Sequence, residues 1–201
     1  SMESSSGHSN HQPLVLAVDV SQERLTLLHE ALVEAGYDQV RLLNETTDLL
    51  NRVLDIRPDV ILIEVQSPGR DTLEQLTLIR DQQPTPVVLI TQDEEAQTIK
   101  SAVESGVCAY TAGGIQATKV RPVIEIAMAT FEKFRNLQGQ LNEAREQLSQ
   151  HKRIDRAKSV LMKERGLSEE EAHKALRKLS MDRKRKLADV ADDILAIFRV
   201  S

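Results

Sequence analysis

The residues able to do chemistry in this 201-residue chain gather near its C-terminus, and they are cations. Arg156, Lys158, Lys163 and Arg165 lie close together, Arg177 follows, and Arg183-Lys184-Arg185-Lys186 places four like charges in a row. Such a run repels itself unless a polyanion neutralises it, and a Lys or Arg that meets a phosphate releases condensed counterions. The chemistry on offer is therefore nucleic-acid binding. The net charge of −5 conceals it, because residues 151–201 hold 14 Lys and Arg against 9 Asp and Glu, whereas residues 1–150 hold 12 against 22. An acidic body carries a basic tail.

Catalysis is not expected. The chain has no Gly-rich phosphate loop and no paired carboxylates beside a base, and His29, His151 and His173 lack nucleophile partners. Its single cysteine, Cys108, cannot form an internal disulfide and has no CxxC or His neighbour, so it reads as a buried small residue and no metal or other cofactor is expected. No apolar run approaches the roughly 20 residues that span a bilayer, and no signal sequence opens the chain, which points to the cytoplasm. Residues 1–12 read as a disordered leader with Ser1 ahead of Met2 as an expression scar, and His8 and His11 read as solvated.

Behind these residues stand the elements that must position them. From Pro13 short apolar runs alternate with amphipathic segments, the pattern of a parallel sheet flanked by helices. Strands are expected at Leu14–Val18, Gln39–Leu42, Val60–Val65, Val87–Thr91 and Ala109–Ala112. Leu25, Leu28, Leu32 and Ala35 recur at helical spacing before Gly36 stops the helix, and further helices are expected near 46–56, 71–82 and 94–105. The fold class is thus an α/β doubly wound domain over 13–118 with a five-stranded parallel sheet.

In such sheets chemistry collects outside the carboxyl ends of the strands, here at Asp19, Glu64, Thr91 and Gly113. Their spacing, with the loop Glu64-Val-Gln-Ser-Pro-Gly-Arg-Asp71, resembles the receiver domain of two-component response regulators. The resemblance implies an acidic pair binding Mg²⁺ after the first strand, a phosphoryl-accepting Asp after the third and a Lys after the fifth. In this chain the pair reads Asp19-Val20, the acceptor position holds Glu64 and the Lys position holds Gly113; only Thr91 and Tyr110 match the switch positions. Losing a metal carboxylate and the neutralising cation removes the electrostatic stabilisation on which phosphoryl transfer depends. Glu64 is then either a built-in mimic of a phosphorylated acid or a solvated remnant of the old site.

From about Ala117 to Gly166 the chain reads as one long helix. Ile124, Ala127, Phe131, Phe134, Leu137, Leu141, Ala144 and Leu148 step by threes and fours, close to a heptad with one phase slip that Phe131 and Phe134 bridge. A parallel coiled coil between two copies over 119–150 is expected, with a helix folded back over the sheet as the alternative. The tail then forms three helical segments with apolar stripes at Ile154, Ala157, Leu161 and Met162, at Ala172, Ala175, Leu176 and Leu179, and at Leu187, Val190, Ala191, Ile194, Leu195 and Phe198. Ser168 with Glu171 forms a capping box. Asp189, Asp192 and Asp193 make the third segment a poor helix for lying along DNA phosphates, so folded RNA suits the module better. With Phe198 the one aromatic in the tail, guanidinium planes such as Arg156 or Arg177 are expected to stack or hydrogen-bond the bases.

The run Ile154-Asp-Arg-Ala-Lys-Ser-Val-Leu-Met-Lys-Glu-Arg-Gly-Leu-Ser-Glu-Glu-Glu-Ala172, with Leu176-Arg-Lys-Leu-Ser-Met181 and Arg185-Lys-Leu-Ala-Asp-Val-Ala191, closely resembles the ANTAR domain. That resemblance implies an RNA-binding antitermination module over 151–201, acting on stem-loops in leader mRNA. A damaged receiver, a coil and this tail together resemble regulators of the NasT type, which implies control by a nitrate- or nitrite-sensing partner protein. The expected function is a homodimeric antiterminator switched by protein contact. The alternatives are a phosphorylation-dependent DNA-binding response regulator and an interaction scaffold. Incubation with radiolabelled acetyl phosphate is expected to leave the protein unlabelled, and stoichiometric labelling would contradict the reading of the strand-end residues.

Overall fold

A computed structural model describes residues 11–198, so all but His11 and Gln12 of the expected leader lie outside the described residues. Five strands form one parallel sheet: β1 (Val15–Asp19), β2 (Val40–Leu43), β3 (Val60–Glu64), β4 (Val87–Thr91) and β5 (Ala109–Ala112), in the order β2-β1-β3-β4-β5. Central strands β1, β3 and β4 are nearly continuous Val, Ile and Leu because helices cover both faces, so every second side chain enters a different core. Val15, Ala17, Leu62, Val88 and Ile90 face one layer, while Leu16, Val18, Ile61, Ile63 and Leu89 face the other.

Helix α1 (Gln22–Glu34) starts at Ser21, whose Oγ accepts the Arg24 N–H, and stops at Ala35 before Gly36 takes φ +94°, a left-handed turn that a side chain would strain. It packs Leu25, Leu28 and Leu32 on the first layer. Helices α2 (Leu49–Ile56), α3 (Arg70–Gln82) and α4 (Ala96–Glu104) bury Leu49, Val53, Leu76, Ile79 and Ala102 on the second. Cys108 is half-buried rather than fully enclosed, with Sγ near the Gly106 carbonyl and its pKa raised by burial.

The long helix is present as α5 (Ala117–Arg165), and the described residues separate into two compact units between Phe134 and Arg135. This corrects the expected coil. Val120, Ile124 and Ala127 have no exposed surface and belong to the core beside α1, so Ile124 and Ala127 cannot form a seam with another copy. Phe131 is half-buried. The exposed apolar stripe begins at Phe134, which is 60% exposed, and continues through Leu137, Leu141 and Leu148.

In the second unit, the end of α5 joins α6 (Glu169–Arg183) and α7 (Leu187–Ile197) around Ala157, Leu161, Ala172, Leu176, Val190, Ala191, Ile194 and Leu195. Gly166 follows α5 at φ +68°, and Ser168 starts α6 with the expected capping box to Glu171. Ile124→Ala is expected to lower stability by about 2–5 kcal/mol in urea unfolding, as core truncations do. The loss should be independent of protein concentration because its contacts lie within one chain; a loss that grows on dilution would restore Ile124 to a seam.

Candidate functional site

Two regions collect the residues singled out from the sequence. The first lies at the carboxyl ends of β1 and β3, where the strand order reverses and a doubly wound sheet opens its crevice. Asp19 and Glu64 are register partners across these strands. Asp19 has no exposed surface, and a buried carboxylate needs bonded partners. It finds them in the Ser21 N–H at 2.9 Å and in Arg24, whose Nε donates to Oδ2 and Nη2 to Oδ1, each at 2.9 Å. Arg24 is a site residue that the sequence reading missed. Its guanidinium forms a two-pronged, charge-assisted pair from the first turn of α1.

This arrangement does not fit the divalent cation that receiver domains hold. Val20 replaces the second carboxylate, and Arg24 already occupies both oxygens of Asp19. Glu64, half-buried, has its pKa pushed up to about 7, first by burial, then by the charge of Asp19 and hydrogen bonding to it, with Arg24 opposing. Glu64 is thus half-buried rather than fully solvated, and its charge changes near neutral pH.

The switch-position residues are also held in place. Thr91 donates its hydroxyl to the Gln66 carbonyl at 2.7 Å, and the Tyr110 hydroxyl donates to the Asp93 carbonyl. Asp93, likewise not anticipated, accepts from Ser67 Oγ (2.6 Å), Thr98 Oγ1 (3.1 Å) and the Glu95 N–H (2.9 Å), bonds that lower its pKa. Gly113 takes φ +76° with open space where a side chain would project, so no cation stands there. The site's side chains bond one another, and its cation, Arg24, is paired with Asp19.

The second region is the basic unit, where the structure sorts the nine expected RNA-contact residues. Lys158 is only 16% exposed at its side chain and lies 3.4 Å from both Asp155 and Glu169. Arg185 pairs with Asp193, which also lies 3.9 Å from Arg183. Arg165 sits over the Phe198 ring at 5.9 Å. Arg153 bonds Asp192 and Asp189, which lowers the Asp192 pKa and raises that of Arg153. The three α7 acids that argued against DNA are thus consumed inside the unit. Lys163, Arg177, Lys184 and Lys186 make no ion pair among the described residues. Arg156 shares an open groove of about 400 Å³ on α5 with Arg145, Lys152 and Arg153; Arg145 was not singled out from the sequence, although its spacing of seven from Lys152 places both on one helix face.

Fold and site together define a receiver-type regulator whose strand-end residues, Asp19-Val20, Glu64 and Gly113, depart from the usual metal and phosphoacceptor set. The response regulator receiver domain model matches residues 15–124 and the ANTAR domain model matches residues 142–195. With more than half its length matched, the chain belongs to the response regulator receiver family. The transcriptional regulatory protein PdtaR of Mycobacterium tuberculosis is 26% identical over 182 residues, covering 90% of this chain and 88% of that one. The aliphatic amidase regulator of Pseudomonas aeruginosa is 25% identical over 142 residues, 70% and 72% of the two chains. The nitrate regulatory protein of Klebsiella oxytoca is 38% identical over 77 residues, 38% of this chain and 19% of that one. Among solved structures, the receiver domain of a modulated diguanylate cyclase from Desulfovibrio desulfuricans G20 superposes with a TM-score of 0.53 at 23% identity, covering 61% of this chain and 98% of that one, a likeness of fold.

The raised Glu64 pKa sets a pH dependence. The folded state keeps the proton up to about 7, whereas the free side chain releases it near 4.5, so folding takes up a proton between these values and stability falls as pH rises through them. Glu64→Gln removes that titration. Thermal melts should show the variant more stable than the parent at pH 8, with the gain shrinking towards pH 5; an equal gain at both would contradict the buried-acid reading.

Proposed function

We propose that this chain is an RNA-binding transcription antiterminator that holds leader-mRNA stem-loops with its C-terminal unit and is controlled by a protein partner rather than by phosphorylation. The observation that carries it is the cation inventory of residues 151–198. The α7 acids are neutralised internally by Arg153, Arg183 and Arg185, and Lys163, Arg177, Lys184 and Lys186 are left for an external polyanion. The ANTAR match over 142–195 supports RNA as that polyanion. Arg156 lines the α5 groove with Arg145 and Lys152. Lys158, Arg183 and Arg185 act chiefly as internal partners that place the contact residues, and Arg165 shares itself with Phe198.

The functional divisions are a pseudo-receiver from residue 13 that takes in the buried first turns of α5, an exposed coil segment from Phe134 through Leu137, Leu141, Ala144 and Leu148, and the RNA module of 151–201. Two copies joined along that segment present two modules, so engagement of one stem-loop raises the effective concentration of the second module near the next. With the Asp19 carboxylate satisfied by Arg24, release or sequestration by a docking partner is the remaining route of control. A nitrate- or nitrite-sensing partner, as in regulators of the NasT type, is supported by the overall resemblance and by the name of the Klebsiella relative. The protein acts in the cytoplasm without a cofactor or an enzymatic step; no described helix is long and apolar enough to cross a membrane.

Electrophoretic mobility shifts with the leader RNA of the regulated operon test this. Lys163→Gln and Arg177→Gln should each weaken binding across RNA sequences and flatten the salt dependence by about one charge. Binding to duplex DNA but not to RNA would support the DNA-binding alternative, and unchanged affinity with an unchanged salt slope in both variants would remove these residues from the interface.

A further inference from the structure

The closing turn of α6 carries a feature that neither the helical core nor the ion pairs use. Ala172 and Leu176 are buried and Ala175 and Leu179 pack against the same core, yet Met181 is 73% exposed, the most exposed of the large apolar side chains described. Arg177 and Lys178 precede it by four and three residues, the spacing that makes helical side chains neighbours. Lys184 then ends the helix in the left-handed region, φ +52°, ψ +42°. Its N–H reaches the Met181 carbonyl at 3.3 Å and the Arg185 N–H reaches Ser180 at 3.1 Å, the double closure that glycine ordinarily makes with less strain. A lysine stands where glycine would be easier, at the negative end of the helix dipole.

We propose that Met181 is the contact for an unpaired base of an RNA loop, with Arg177, Lys178 and Lys184 holding the phosphates beside it. RNA loops expose splayed bases that seek an apolar or aromatic surface, and a thioether packs favourably against an aromatic ring. Arg177, Lys178 and Lys184 make no ion pair among the described residues, and Asp182 lies about 100° further round the helix than Met181. This surplus of positive charge around one apolar side chain favours a polyanion with bases over a protein surface. The unit has only Phe198 as an aromatic, and Arg165 already covers that ring, so Met181 supplies the apolar face that the aromatics do not.

The proposal rests on the RNA-binding reading above, and the test separates the two. Stem-loop RNAs are selected on the wild-type protein from a pool with randomised loops, and Kd is measured against salt for wild type, Met181→Ala and Lys184→Gly. Met181→Ala should lose about tenfold in affinity with an unchanged salt slope. An abasic nucleotide at the critical loop position should weaken the wild type by a similar factor and leave Met181→Ala unaffected. Lys184→Gly should weaken binding and flatten the slope by about one charge while melting no lower than wild type, because glycine relieves the left-handed backbone. If wild type selects RNA but Met181→Ala binds it equally well, or the abasic loop weakens both proteins alike, the base contact is overturned and the RNA reading stands. If Met181→Ala loses self-association while keeping RNA affinity, the patch is a protein contact and the proposal fails. If wild type selects no RNA, both readings fall.

Discussion

A carboxylate with no surface in water must be paired or protonated, and around this constraint the sheet end of the molecule is organised. In this chain the partner of Asp19 is Arg24, in the first turn of α1, and the pair is bonded through two nitrogens and two oxygens. The same guanidinium moderates the neighbouring Glu64, whose burial and proximity to Asp19 drive its pKa up. Where a receiver's crevice holds a metal and a phosphoryl group, this crevice holds its own cation and a half-buried carboxyl with a raised pKa. Thr91, Tyr110 and Asp93 are likewise committed to internal bonds. The receiver architecture is kept while the strand-end side chains bond one another.

A similar self-neutralisation shapes the C-terminal unit. Arg153 draws Asp189 and Asp192 of α7 towards α5, and Asp193 is claimed by Arg183 and Arg185. Exposed pairs of this kind contribute little stability individually. Their larger effect is on the field: they cancel the acids that would repel a phosphate backbone and leave the positive charge concentrated on α5 and at the end of α6. A chain with net charge −5 thereby presents a surface suited to RNA.

Much of this was legible in the sequence because the relevant signals are local. Apolar runs fixed β1 to within one residue and β4 at both ends, since a buried parallel strand is apolar on both faces; the half-exposed edge strand β5 also matched at both ends. The long helix and the capping box at Ser168 were equally plain. What stayed hidden depends on what covers an element. A stripe at spacings of three and four shows that a helix has an apolar face but not whether a sheet or a second helix meets it, so Ile124 and Ala127 passed for seam residues. Arg24 looked like an ordinary helix surface residue, because its contact with Asp19 depends on the turn through Val20 and Ser21. The pairing of Arg153 with Asp192 spans 39 residues and becomes visible only when α7 folds back on α5.

The central claim is that nucleic-acid binding by the C-terminal unit does not answer to the phosphorylated state that governs intact receivers. It is tested most directly by titrating a leader stem-loop RNA with the full chain at fixed Mg²⁺, with and without beryllofluoride, the stable mimic of an aspartyl phosphate. The account predicts saturable, salt-dependent binding with the same Kd under both conditions; binding that appears or tightens only with beryllofluoride would contradict it.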